Sequence, residues 1–220
     1  MSAPALSIEI MTSDEQRRLS EHEAARAQIA QLYGRKLTVV TVEGGTRFDG
    51  CASAEPLTVP ADALARLDPE APFCLWPAEV RRRVESDVMF GLAGDAAERV
   101  LFPPRTGRAE EPVAVRAAVI AAKLPPATDI ERAEAVAAVS DDDPEIRSDA
   151  ANVARLANVA YPGDTMAQVR WLGFMAAECE SLVLAHQAGI RRLAAVAREL
   201  GTVGGEAAAG VLTRRLWAAS

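Results

Sequence analysis

The chain has 220 residues, half of them apolar, a quarter charged and 5% aromatic, with a formal net charge of −7. This length suits a single domain, residues 1–220, and the alanine-rich composition favours packed helices. The acidic balance offers no basic field for a phosphate backbone, so nucleic acid is not an expected partner. No apolar run reaches the ~18–20 residues that cross a bilayer, and no basic, then apolar, leader opens the chain, so no membrane partner and a cytoplasmic location are expected.

The first helix is predicted over residues 12–33. Thr12 or Ser13 can cap it, Glu15 completes a capping box with Thr12, and Gly34 ends it. Leu19, His22, Ala25, Arg26, Ile29, Leu32 and Tyr33 follow the spacing of one buried stripe, which turns His22 and Arg26 inward together.

A β-hairpin is predicted over residues 37–52: a strand at 37–42, a turn at Gly44-Gly45, and a second strand at 47–52. Prolines divide the next stretch into an extended piece and a short helix. The run from Pro77 to Phe102 predicts two helical stretches jointed near Gly91 to Gly94, in which Arg81, Arg82 and Arg83 form a solvated face. "PPRTGRAEEP" is a surface loop by composition.

Helices follow at 113–123, 130–139 and 146–160, the second opened by a Thr128–Glu131 capping box. The C-terminal helices are placed at 165–218, with a long region over 165–200 that bends at Gly173 or Gly189, a turn at "GTVGG", and a last helix ending near Trp217. Cys51, Cys74 and Cys179 are odd in number and widely spaced, which suits small buried apolar residues rather than disulfides or a zinc site. His186 is assigned to packing. The fold class expected is mainly α with a small antiparallel β element.

The chemistry-bearing stretch is His-Glu-Ala-Ala-Arg, His22 to Arg26. A zinc-peptidase helix carries His-Glu-x-x-His because histidines at i and i+4 share one face and one metal, with the glutamate beside the bound water as its base. Here Arg26 fills the second histidine's position, and a guanidinium stays protonated and cannot ligate.

"LSEHEAARAQIAQLYGRKLTVVTVEGG" resembles the opening of the peptidase domain of FtsH-type zinc metalloproteases, where an HEAGH-type helix precedes a Gly, a strand and a Gly turn. "FGLAGDAAERVLF" resembles that family's small-residue joint followed by Ala-Ala-Glu. "ATDIERAEAVA" is similar to the segment whose Asp supplies the third zinc ligand just before a helix. The segment from Glu180 to Leu212 resembles its closing helices.

The resemblance implies a helical bundle like that peptidase domain, standing alone without an ATPase module or membrane anchor. It implies His22 and Asp129 as metal ligands, Glu111 as the rival acidic position, and Glu23 as general base in an active enzyme. With Arg26 in place of a ligand, the expectation is a degenerate, metal-free pseudopeptidase with no cofactor, acting by binding an unknown peptide or protein. Whether it is an enzyme stays open. One alternative is an active zinc metallopeptidase with a non-standard ligand set; another is a helical interaction or assembly protein unrelated to peptidases.

Overall fold

The computed structural model describes residues 12–42, 50–102, 111–137 and 148–213. Helix α1 spans Ser13–Tyr33. The Thr12 hydroxyl accepts the Glu15 N–H at 3.3 Å while the Glu15 carboxylate accepts the Thr12 N–H at 2.8 Å, so the capping box is closed in both directions. Gly34 ends the helix at φ 84°, a left-handed conformation that suits glycine.

Helix α1 is buried on more than one side. Ala24, Ala25, Ala27, Ile29 and Ala30 are all fully buried, whereas Leu32, expected on the inner stripe, is 38% exposed. Alanine explains the difference, because a side chain with one carbon lets neighbouring helices approach from several directions.

Strands β1 (Leu37–Thr41) and β2 (Cys51–Ala54) pair antiparallel, with Val40 opposite Ala52. Strand β2 takes up the end of the expected 47–52 and runs on to Ala54, while residues 47–49 and the Gly44-Gly45 turn lie outside the described residues. Helix α2 spans Ala61–Ala65, a 3₁₀ turn spans Phe73–Leu75, and helix α3 spans Ala78–Leu101. The expected joint in α3 is absent. Gly91 and Gly94 continue the helix and serve close approach instead: a Cβ on Gly91 would meet Val153, and one on Gly94 would overlap the His22 ring.

Arg83 is buried rather than solvated. Its Nε donates to Asp87 at 2.6 Å, and Arg35 donates to the other Asp87 oxygen at 2.9 Å. Arg35 also donates to the carbonyls of Ala54 and Glu55, and Arg83 to that of Leu57. Two buried cations around one carboxylate are tolerable because each guanidinium also finds backbone acceptors, and the network ties the end of β2 to α3.

The remaining helices are α4 (Val113–Ala121), α5 (Asp129–Ala137), α6 (Asp149–Ala160), α7 (Thr165–Ala185), α8 (Gln187–Leu200) and α9 (Gly205–Thr213). The Thr128–Glu131 capping box opens α5 as the sequence predicts. Helices α7 and α8 meet at His186, not at Gly173 or Gly189. "GTVGG" holds a third strand, β3 (Thr202–Gly204), which pairs antiparallel with β1 through Val203 and Val40. The sheet order is β2-β1-β3.

The fold is thus mainly helical with a small antiparallel sheet. Its core sits where α1 packs against α3, α8 and the sheet, while α3 also carries α6 and α7. A second cluster lies where Phe73 makes edge contacts with Trp76, Tyr161 and Trp171 at 5.4–5.9 Å between ring centroids. Arg132 stacks over Trp76 and donates to the carbonyls of Pro69, Ala71 and Val159, joining α5 to this corner. No helix among the described residues is long and apolar enough to cross a membrane.

Candidate functional site

Helix α1 brings His22, Glu23 and Arg26 to one region because they lie within a single helical turn of each other. The His22 Nδ1 is 2.9 Å from Glu98 Oε1, and the ring rests on the backbone of α3 at Gly94. Burial works against a charge on this imidazole. The Glu98 hydrogen bond and the charges of Glu23 and Glu98 outweigh burial and the repulsion from Arg26, so its pKa rises above 6.5.

Glu23 is turned towards the sheet. Its Oε2 accepts the Ala52 N–H at 2.6 Å, and its side chain is buried. Arg26 lies between two carboxylates: a terminal nitrogen is 3.4 Å from Asp149 Oδ1 and another is 3.9 Å from Glu23 Oε2. Its guanidinium carbon stands 4.5 Å from the centroid of Phe90, which adds a cation–π contact. Arg35 stacks on the same ring at 4.6 Å.

Asp149 and Glu98 take the places the sequence reading gave to other carboxylates. Asp129 opens α5, is exposed, and makes no hydrogen bond or ion pair with His22 or Arg26; α5 packs on α6 and α3. Glu111, ahead of α4, is exposed and equally unconnected to them. Asp149 instead begins α6, whose N-cap Ser148 accepts the Ala151 N–H at 3.2 Å. The signal for it was present as Ser-Asp before an alanine-rich run. Glu98 stood within the quoted "DAAERV".

Cys51 belongs to the rim of this cluster. Burial and the charges of Glu23 and Asp149 push its thiol pKa up, with Arg26 opposing. Cys51 and Cys74 are exposed, against the expectation of buried residues, while Cys179 is buried and bonded through Sγ to the Met89 carbonyl. Cys51 is carried by a terminal strand of the sheet and Cys74 by the short turn before α3, positions that periodicity does not mark.

A catalytic zinc centre needs three protein ligands and an open position. No group of three or more His, Cys, Asp or Glu side chains that could hold a metal occurs among the described residues. The position one turn after His22 holds a cation, and that cation already neutralises Asp149. Among the described residues the donors around His22 therefore do not make up a catalytic zinc set, and the paired charges join α1 to α3, α6 and β2. No protein-family model matches this sequence, and no curated protein matches it.

Proposed function

We propose that this chain is a stand-alone pseudopeptidase that resembles the FtsH-type peptidase domain, has lost its metal centre, and acts by binding a peptide or protein. The observation that carries the reading is Arg26, whose guanidinium bridges Asp149 and Glu23 and lies on Phe90. A fixed cation between two carboxylates does electrostatically what a metal ion would do there, without a Lewis acid or an activated water.

The resemblance calls for a helix-opening Asp as the third ligand, and Asp149 suits that role better than Asp129 because it begins α6 and reaches Arg26. Glu23 is engaged by Ala52, so a base at this position has no free carboxylate edge on Oε2.

The test is Arg26→His. Purified wild-type protein should carry far less than one zinc per chain by elemental analysis, and should bind a fluorescently labelled, permanently unfolded polypeptide without cleaving it. The variant should bind zinc close to stoichiometrically. Stoichiometric zinc in the wild type, with peptidase activity lost in Glu23→Ala, would establish the active-enzyme alternative instead. A folded Arg26→His variant with no gain in zinc affinity would mean that the site has decayed further or never existed, and would remove Arg26 as support for the peptidase reading.

A further inference from the structure

Helix α7 packs against α3, α4, α1, α6 and α8, while the residues of its opposite face are exposed among the described residues. That face is apolar: Phe174 is 64% exposed and Met166 59%, with Val169 and Leu184 also open. Its middle is low, because Gly173, Ala177 and Ser181 recur every fourth residue and a Cβ added at Gly173 would meet nothing within 4 Å. Of the exposed residues of α7 only Arg170 and Glu178 are charged, and neither makes an ion pair within the described chain.

The spacing of these two charges identifies an occupant. Arg170, Phe174 and Glu178 stand at i, i+4 and i+8, so they form one row down the exposed side, with the charges about 12 Å apart and the aromatic ring midway. A two-fold axis through the level of Phe174 reverses this row onto itself. Arg170 of one copy then meets Glu178 of the other, twice by symmetry, and the two Phe174 rings meet at the centre.

We infer that this face of α7 is a homodimer interface in which α7 packs antiparallel against α7 of a second copy of this chain. A parallel arrangement sets Arg170 against Arg170 and is disfavoured. One helix per copy offers less than the ~800 Å² per partner of a standard interface, which points to a weak dimer with a dissociation constant in the micromolar range or above. This inference is independent of the reading of the Arg26 cluster.

Sedimentation velocity of the full chain, from about 1 µM to about 1 mM so as to bracket such a constant, is the direct test. The wild type should pass from monomer to dimer. Arg170→Glu should raise the dissociation constant about tenfold, since it creates two like-charge contacts per dimer. The same is expected of Glu178→Arg, and the double variant R170E/E178R should return to within about threefold of the wild type. In a Cys51→Ser, Cys74→Ser background, Phe174→Cys should form a disulfide-linked dimer on mild oxidation, and the same background with Phe174 retained should not. A protein that stays monomeric throughout, including one whose α7 face is protected by another segment of the same chain, overturns the inference. So does a dimer indifferent to the single charge reversals.

Discussion

Replacing Gly94 with alanine should destabilise the protein although it improves the intrinsic helicity of α3. In a helix interior that exchange is ordinarily favourable by about 1 kcal/mol. Here the new Cβ overlaps Nε2, Cδ2 and Cε1 of His22, so the imidazole must retreat by about 1 Å or more to reach ordinary contact. The Nδ1 to Glu98 distance, 2.9 Å in the native protein, then exceeds hydrogen-bonding range. Overpacking of this kind costs about 1–3 kcal/mol. The lost bond adds about 0.5–1 kcal/mol, a discounted figure because both side chains are partly solvated. The net expectation is a loss of about 0.5–3 kcal/mol, read as a lower urea midpoint or a fall of roughly 2–10 °C in Tm. In a His22→Ala background the same change should turn neutral or stabilising. Equal effects of Gly94→Ala in both backgrounds, or a gain in stability in the wild type, would refute the packing argument.

Two further outcomes follow from the titrating groups. The folded pKa of His22 is raised above its unfolded value near 6.5, so its stabilisation is complete below that pH and is lost as pH rises through the folded value. Urea midpoints of wild type and His22→Gln should therefore converge as pH rises from acid to mildly alkaline solution; a constant gap would show that His22 gains no charge-dependent contact. Burial, with Asp95 and Glu178, pushes the Cys179 thiol up to about 12, whereas Cys74 and Cys51 are exposed. A disulfide exchange reagent should thus count two thiols in the native protein, with Cys51 slower than Cys74, and three after unfolding; three rapid native thiols would contradict the burial of Cys179.

Much of the fold was legible because its signals are local. The Thr12–Glu15 and Thr128–Glu131 boxes and the Gly34 stop act through bonds spanning a few residues, and each acts where the sequence places it. The Gly91–Gly94 stretch was misjudged for the opposite reason. Whether a glycine breaks a helix or admits a neighbour depends on what packs against it, and here the neighbours are Val153 and His22, far away in the chain. The same limit applied to the carboxylates. Asp129 and Asp149 both begin alanine-rich helices, and only the packing of α6 against α3 brings the second one to Arg26. Arg83 shows the converse: three consecutive arginines look solvated until Asp87, four residues on, is seen to be shared with Arg35.

The bond between Glu23 and Ala52 has a consequence for how sheets recruit company. Strand β2 ends the sheet, and its Ala52 N–H is spent on a carboxylate from α1 rather than on a neighbouring strand. An open strand border is a template for an extended polypeptide, whether a ligand or a misfolded copy. Here a side chain plugs that border at its buried residue, so an incoming strand must first evict a negative charge that Arg26 helps to hold. Glu23 thus closes this border of the described sheet at Ala52, where an added strand would need the same N–H.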